Sequence, residues 1–278
     1  MKDLLAQGAP VGVLGAGSWG TALATVLARS GFAPLIWARR AALAQAINRD
    51  RVNADRLPGI TLDPKICATD NLADLGQAPV ILYAAPAQSL RPLLSALVVR
   101  RPAPVVVICA KGIERDSGRL PTQVVAEVMP SSRTAVLSGP SFAADVARGL
   151  PTAVTLAAAD PDLAQALALA IGVRSFRPYS SGDPVGAQIG GAVKNVLAIA
   201  CGIVEGRGLG LSARAALISR GFAEMTRLGV ALGARPETLS GLSGLGDLVL
   251  TCTASLSRNM AYGLALGRGG GGGGYGGA

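Results

Sequence analysis

The sequence predicts an α/β domain with a doubly wound parallel sheet, followed by an all-α domain. Short apolar runs alternate with helix-like segments between Val11 and Leu156, as buried parallel strands and their connecting helices do. In the second part of the chain the strand-like runs largely disappear and long helical segments follow. A glycine-rich turn joins the first strand to the first helix. We therefore predict one domain at residues 1–186, a helical domain at 187–268 and a disordered glycine-rich tail at 269–278.

The individual elements follow from apolar periodicity and from turn residues. The predicted strands are continuous apolar runs, which parallel strands covered on both faces require. They lie at 11–14, 34–37, 80–84, 105–109, 135–137 and 153–156. The predicted helices carry apolar residues at helical spacing. They lie at 21–29, 41–49, 163–173, 187–204, 212–232 and from Asp247 onward. Gly31 is expected to end the first helix.

The composition favours an anionic small-molecule ligand. The chain of 278 residues has a net charge of +9 and an isoelectric point near 10.0, which favours an anionic partner. Its arginines are spread along the chain and are rarely interleaved with aromatic residues, so the sequence supports a nucleic-acid groove only weakly, and no nucleic-acid partner is expected. A phosphorylated small molecule or cofactor suits the pattern better. A compositional preference for arginine over lysine is the alternative source of this charge.

No segment predicts a membrane span or export. No stretch reaches the roughly 18 uncharged apolar residues that a span requires, and the N-terminus lacks the features of a signal peptide. The four cysteines form no C-x-x-C pair, and the chain has no histidine to complete a metal site. We therefore expect no metal centre and a cytoplasmic protein. Its thiols, Cys67, Cys109, Cys201 and Cys252, are expected to be buried and reduced.

The glycine-rich turn has the spacing of a dinucleotide-binding fingerprint. Gly15-Ala16-Gly17-Ser18-Trp19-Gly20 matches G-x-G-x-x-G directly after a buried strand and at the start of a helix. Gly15 permits the tight turn, Gly17 lets the backbone approach a pyrophosphate, and Gly20 lets helix and strand pack closely. The helix N-terminus offers N–H groups and a partial positive charge to the phosphates. A Rossmann-type dinucleotide-binding domain is expected, and a glycine-rich turn without a ligand is the alternative.

The end of the second strand indicates which dinucleotide is bound. An NAD-binding domain places an acidic residue about twenty residues after the fingerprint, where it binds the ribose 2′-hydroxyl. This chain has Trp37-Ala38-Arg39-Arg40 there, with no carboxylate near. Two guanidinium groups suit a 2′-phosphate. The sequence therefore favours NADP(H), or the use of both NADP(H) and NAD(H), and an exposed basic start to the next helix is the alternative.

Lys194 is the best candidate for a group that exchanges a proton. It lies in the apolar run 190–201, and the chain has no histidine and only four lysines among 26 basic residues. Arginine does not release its proton in proteins, whereas a desolvated lysine can titrate toward neutrality. Gly190 and Gly191 lie on the same helix face and are expected to leave space above the amine. The alternative is a lysine whose stem packs on apolar surface while its ammonium reaches water.

Further polar residues are candidates for a substrate site. Lys111 follows a predicted strand at the sheet edge where open α/β folds bind ligands. The turn at 138–143 follows another strand and carries hydroxyl groups. Asp247 and Thr251 are spaced i and i+4, so a helix presents both to the same site. The segment Ser257-Arg258-Asn259 supplies a cation and hydrogen-bonding groups, which suit a phosphate.

These motifs resemble those of bacterial NAD(P)-dependent glycerol-3-phosphate dehydrogenase. The resemblance covers about residues 10–267, and its motifs lie at 15–24, 111–112, 137–143, 190–196 and 244–252. It implies a helical domain similar to the C-terminal domain of 6-phosphogluconate dehydrogenase. It also implies reversible hydride transfer between NAD(P)H and dihydroxyacetone phosphate, which yields sn-glycerol 3-phosphate for phospholipid synthesis. A homodimer is expected.

The resemblance also implies a role for each matching residue. Lys194 would be the catalytic proton donor and acceptor. The residues implied to line the substrate are Lys111, Gly139, Ser141, Lys194, Asp247, Ser257, Arg258 and Asn259. The residues implied to bind the cofactor are Gly15, Gly17, Ser18, Trp19, Gly20, Arg39, Arg40, Lys111, Ala143 and Arg258.

The chain departs from the family pattern in two places. The family continues for several tens of residues past Leu266-Gly267 and adds a glutamate that contacts the cofactor, whereas this chain has the glycine-rich tail. We therefore expect an incomplete helical domain. The turn at 84–88 is also smaller than the family's. Two alternatives to the dehydrogenase remain: a nucleotide-binding protein without turnover, and a 2- or 3-hydroxyacid dehydrogenase, which would need a carboxylate clamp instead of a phosphate clamp.

Overall fold

Eight strands form one sheet in the first part of the chain. The structure is a computed structural model and describes residues 8–99 and 102–269. The predicted glycine-rich tail lies outside the described residues from residue 270 onward. The strands are β1 (Pro10–Leu14), β2 (Ala33–Trp37), β3 (Cys67–Thr69), β4 (Val80–Tyr83), β5 (Val105–Ile108), β6 (Thr134–Ser138), β7 (Thr152–Ala157) and β8 (Phe176–Ser181).

The sheet has the doubly wound order that the sequence predicts. The strand order is β3-β2-β1-β4-β5-β6-β7-β8. The pairings β1–β2, β1–β4, β2–β3, β4–β5, β5–β6 and β7–β8 are parallel. Because the order runs outward in both directions from β1, the loops after β1, β2 and β4 meet at the carboxyl edge of the sheet.

The edge strands β3 and β8 were not predicted from the sequence. Strand β3 has only three residues, and β8 alternates buried and exposed side chains over Phe-Arg-Pro-Tyr-Ser-Ser. An edge strand has one neighbour and a partly solvated surface, so it lacks the continuous apolar run of a central strand. Cys67, which begins β3, is exposed, so its predicted burial is wrong; Cys109, Cys201 and Cys252 are buried.

In the described part of the chain, six α-helices connect these strands and cover the sheet. They are α1 (Ser18–Arg29), α2 (Ala41–Asp50), α3 (Leu90–Ala96), α4 (Pro121–Val128), α5 (Ala143–Arg148) and α6 (Pro161–Ile171). Gly31, with φ of 92°, follows the end of α1 as predicted. The core lies between the helices and the sheet, where Val13, Leu23, Leu82 and Val107 are fully buried.

The second part of the chain is helical, as predicted. Its helices are α7 (Pro184–Gly206), α8 (Gly210–Ala231), α9 (Pro236–Ser240), α10 (Asp247–Thr253) and α11 (Arg258–Gly267). A π-helical turn, Leu242–Gly246, leads directly into α10. The chain divides into two compact units: the first contains residues up to Leu137 together with Ser141–Pro184, and the second contains Ser138–Pro140 and the chain from Val185.

Glycines bring α7 and α11 into backbone contact. A Cβ at Gly202 would lie 2.2 Å from the carbonyl oxygen of Met260, and one at Gly263 would lie 2.0 Å from that of Ile199. One turn further along, a Cβ at Gly206 or at Gly267 would lie 2.5 Å from a carbonyl oxygen of the other helix. These four positions leave no room for a methyl group, so glycine sets the distance between the two helices.

Helix α7 is long and apolar enough to cross a membrane when it is judged by length and composition alone. Its best 18-residue window has a mean hydropathy of 1.5, and half of that window is buried within the protein. The bent helix pair Pro236–Thr253 and Arg258–Gly267 passes the same test of length and composition. Buried core helices of soluble proteins in general pass this test too. The expected absence of a membrane span therefore stays a prediction.

Substitution of Gly202 by alanine should destabilise the helical unit. The added methyl group must push the α11 backbone away, and overpacking of this kind costs about 1–3 kcal/mol or more. Gly246→Ala is the matched control, because a Cβ there meets its nearest neighbours at 3.6 Å, an ordinary contact. Unfolding in guanidinium chloride measures both variants. Equal stabilities would show that α7 and α11 are not in backbone contact.

Candidate active site

The glycine-rich turn after β1 has the geometry of a phosphate-binding turn. Gly15 has φ of 121°, and a Cβ there would lie 2.8 Å from the backbone nitrogen of Ala85. A Cβ at Gly20 would lie 1.9 Å from the carbonyl oxygen of Gly15. A Cβ at Gly17 would meet nothing within 4 Å, so the backbone is open there. The first and third glycines are thus required by the turn and its packing, and the second leaves the backbone accessible to a ligand.

The N-terminus of α1 suits the pyrophosphate of a dinucleotide. Gly17 is the N-cap and provides no capping side chain, so the first-turn N–H groups of Ser18–Gly20 are directed out of the helix without intrahelical partners. The Ser18 hydroxyl donates to the carbonyl of Arg56 at 2.5 Å. Among the described residues the buried Trp19 indole nitrogen has no hydrogen-bond partner. The residues present therefore fit the cofactor that the fingerprint predicts.

Arg39 and Arg40 lie next to this turn. They follow β2, which pairs with β1, and the backbone nitrogen of Gly15 donates to the carbonyl of Trp37 at 3.2 Å. Both arginines are exposed. The Arg40 guanidinium forms an ion pair with Asp55 at 3.0 Å. The end of β2 itself has no carboxylate, as the sequence shows, but the chain after α2 folds back and brings Asp55 to Arg40.

The loop 53–57 forms part of the fingerprint region and was missed by sequence reasoning. Asn53 is fully buried, and its side-chain amide donates to the carbonyl of Ala16 at 3.0 Å and to the Thr21 hydroxyl at 2.8 Å. The backbone nitrogen of Leu57 donates to the Asn53 carbonyl at 2.7 Å and closes the loop. The following Pro58 and Gly59 indicate a turn in the sequence, but they do not indicate where the loop packs.

Lys194 forms a buried polar cluster with Asp247 and Thr251. Its Nζ donates to Asp247 Oδ1 at 2.5 Å and to Thr251 Oγ1 at 2.8 Å. The Thr251 hydroxyl donates to the Asp247 carbonyl at 2.7 Å. The three residues are 7%, 1% and 5% exposed. The predicted presentation of Asp247 and Thr251 by one helix is confirmed, and the Lys194 ammonium is bonded to both side chains.

The cluster holds a charged amine in a fixed place within apolar surroundings. Burial of an unpaired ammonium is costly, and a directly bonded carboxylate offsets much of that cost. The Thr251 hydroxyl accepts a second hydrogen bond from the amine and so restricts its position. An ammonium held in this way can donate a proton to a nearby oxygen and can stabilise negative charge that develops on it.

Gly190 brings the two halves of this cluster together. A Cβ there would lie 2.3 Å from the Ser243 carbonyl oxygen and 2.8 Å from Gly244 Cα. The expectation that Gly190 leaves space above the amine is therefore wrong, because the backbone of the turn before α10 occupies that space. The close approach brings the start of α10, and with it Asp247, to the Lys194 side of α7.

The segment 257–259 lies at the start of α11. Ser257 is the N-cap, and its hydroxyl accepts from the Met260 backbone nitrogen at 3.2 Å. Arg258 is exposed. Asn259 donates through its side-chain amide to Asn195 Oδ1 at 2.8 Å. Sequence reasoning missed Asn195, although its position directly after Lys194 is the signal that could have found it.

The remaining predicted residues follow the ends of strands. Lys111 lies three residues after the end of β5, and Gly112 behind it has φ of 146°. Gly139, with φ of 156°, and Ser141 follow β6, and Ala143 begins α5. The roles of these residues stay predictions.

The described residues contain no metal-binding group of three or more histidine, cysteine, aspartate or glutamate side chains. The thiols of Cys201 and Cys252 are hydrogen-bonded to each other beside the Lys194 cluster. This bond lowers the pKa of Cys201 and, together with burial, raises that of Cys252. The polar groups of the neighbouring cluster are the Lys194 amine, the Asp247 carboxylate and the Thr251 hydroxyl.

Comparison with known proteins identifies the family. The sequence matches the family model of the NAD-dependent glycerol-3-phosphate dehydrogenase N-terminus over residues 10–164, and that of the C-terminus over residues 183–272. The chain belongs to this family. A glycerol-3-phosphate dehydrogenase [NAD(P)+] of Caulobacter vibrioides is 59% identical over 260 residues, which cover 93% of this chain and 78% of the relative. A relative of the same name from Rhodospirillum rubrum is 58% identical over 262 residues, 93% of this chain and 75% of the relative.

The fold of this family member agrees with a solved structure. The crystal structure of glycerol-3-phosphate dehydrogenase from Coxiella burnetii has a TM-score of 0.90 and 40% identity, and the match covers 94% of this chain and 81% of that one. The predicted fold class, a parallel Rossmann-type sheet followed by a helical domain, is confirmed.

Removal of Asp247 should destabilise the protein, because it leaves the buried Lys194 ammonium without its counterion. Loss of one partner from a buried ion pair costs about 3–5 kcal/mol. Asp247→Ala should lower the free energy of unfolding by about this amount at neutral pH, whereas Asp116→Ala, at an exposed aspartate, should change it by less than about 0.5 kcal/mol. Chemical denaturation measures both. Equal values would contradict a buried charge pair.

Proposed function

We propose that this chain is an NAD(P)-dependent oxidoreductase that reversibly reduces dihydroxyacetone phosphate to sn-glycerol 3-phosphate. The observation that carries the proposal is the buried Lys194 ammonium held by Asp247 and Thr251 in a chain without histidine. The names of the Caulobacter and Rhodospirillum relatives support the substrate, and the geometry of the glycine-rich turn supports the cofactor.

Lys194 acts as the proton donor during ketone reduction. When bound, the nicotinamide supplies a hydride to the carbonyl carbon. The ammonium of Lys194 gives a proton to the carbonyl oxygen and stabilises the negative charge that develops there. Asp247 and Thr251 keep the amine in position. In the oxidation direction the neutral amine takes the proton from the substrate hydroxyl.

Other predicted residues bind the two ligands. Arg258, exposed at the start of α11, binds the substrate phosphate, and Asn259, bonded to Asn195, lies beside it in the chain. The N-terminus of α1 would hold the pyrophosphate of the cofactor. Arg39 and Arg40 bind the 2′-phosphate of NADP(H), and NAD(H) is accepted as well. The protein is a cytoplasmic homodimer whose product enters phospholipid synthesis.

The function is tested by the rate of NADPH oxidation with dihydroxyacetone phosphate. Lys194→Met keeps the stem and removes the charge, so turnover should fall by about a hundredfold or more. Lys194→Arg should be nearly as inactive, because guanidinium does not release its proton. Lys65→Met is the control, because Lys65 is exposed and this variant should keep its turnover. Substantial turnover in Lys194→Met would exclude the proposed role.

The cofactor preference should depend on Arg39 and Arg40. The double variant Arg39→Ala/Arg40→Ala should weaken NADPH binding tenfold or more and leave NADH binding nearly unchanged, because a charge-assisted contact contributes about 1.5–3 kcal/mol. Arg49→Ala, at an exposed arginine on α2, is the control. Binding is measured by the change in nicotinamide fluorescence. Equal losses for NADPH and NADH would show that the pair supports structure instead of selecting the phosphate.

A further inference from the structure

The loop 53–57 is held by contacts at both ends against the glycine-rich turn at residues 15–20, called the dinucleotide turn below. At its start, the buried Asn53 amide donates to the Ala16 carbonyl within the turn. Near its end, the Arg56 carbonyl accepts from the hydroxyl of Ser18, the first residue of α1. These contacts involve the turn itself, so the position of the loop is tied to the position of the predicted pyrophosphate site.

Asp55 lies between these two anchors and contacts Arg40. Its carboxylate lies 3.0 Å from the Arg40 guanidinium, and both side chains are more than half exposed. Among the described residues, Arg39 forms no ion pair. Of the two arginines that follow β2, Arg40 therefore forms an ion pair with a carboxylate of the protein itself.

This arrangement has opposite consequences for the two cofactors. A 2′-phosphate that approaches Arg40 must share the guanidinium with Asp55 and lies close to a like charge, which weakens its binding. A 2′-hydroxyl carries no charge and can donate a hydrogen bond to a carboxylate. The Asp55 carboxylate thus weakens the binding of a 2′-phosphate and does not weaken the binding of an unphosphorylated ribose.

We propose that Asp55 is a specificity-determining residue that lowers the preference for NADP(H) and permits the use of NAD(H), by forming an ion pair with Arg40 at the 2′ position of the adenosine ribose. The inference rests on the proposed cofactor-binding function of this turn. It adds a carboxylate, supplied by a loop after α2, to a site in which the sequence alone indicated two arginines.

Direct binding of NADPH and NADH to the full chain tests this role. Asp55→Asn keeps the size of the side chain and removes its charge. Because exposed ion pairs are weak, we expect the dissociation constant of NADPH to fall by about two- to fivefold and that of NADH to stay equal or rise. The gain for NADPH should shrink in high salt, which screens exposed charges. An unchanged or weakened NADPH affinity in Asp55→Asn would overturn the proposal.

Two further variants separate the ion pair from general charge effects. Asp50→Asn removes the same charge from the pair that Asp50 forms with Arg49 at the other end of α2, and it should leave both affinities unchanged. In an Arg40→Ala background, Asp55→Asn should give less than half of the gain seen with Arg40 present. A full gain without Arg40, or an equal gain in Asp50→Asn, would exclude an effect through this ion pair.

Failure of the proposed function is distinguishable from failure of this inference. If the unsubstituted protein binds both cofactors but does not reduce dihydroxyacetone phosphate, the proposed reaction fails and the binding constants still decide the role of Asp55. If Asp55→Asn leaves the ratio of the two binding constants unchanged in an active enzyme, the role of Asp55 fails and the reaction stands.

Discussion

The buried ion pair between Lys194 and Asp247 is the constraint on which the helical unit depends. A charged amine in an apolar helix is tolerated only with a partner at hydrogen-bond distance, so α10 must start close to α7. Gly190 permits this approach, because the Ser243 carbonyl oxygen lies where a side chain would be. Thr251, one helical turn after Asp247, then accepts the second hydrogen bond from the amine. The same contacts that satisfy the charge also fix the position of the proposed proton donor.

The dinucleotide turn, like the contact at Gly190, has glycines where two backbone segments approach closely. Gly15 and Gly20 have no room for a side chain, whereas Gly17 has open space beside it. The buried Asn53 amide ties the loop after α2 to this turn. The proposed cofactor site therefore combines three chain segments: the turn itself, the end of β2, and a loop that carries Asp55.

The sequence predicts the features that depend on local pattern. The central strands, the fingerprint and the presentation of Asp247 and Thr251 by one helix all follow from spacing along the chain. Features that depend on how distant segments pack were not predicted. The approach of Asp55 to Arg40 is of this kind, and Gly190 was misjudged because the backbone that it contacts, at Ser243, is distant in the chain. The edge strand β8 was missed because its exposed surface interrupts the apolar run.

Chemical rescue tests most directly the claim that Lys194 donates the proton. Lys194→Ala removes the amine and leaves a cavity of its size, which a small alkylammonium ion added to the solution can fill. The account predicts that this variant binds NADPH normally, turns over dihydroxyacetone phosphate very slowly, and recovers turnover in a saturable manner with methylammonium or ethylammonium, whereas tetramethylammonium, which has no proton to give, has no effect. Turnover close to that of the unsubstituted protein in Lys194→Ala without added amine would contradict the account, and so would equal rescue by tetramethylammonium.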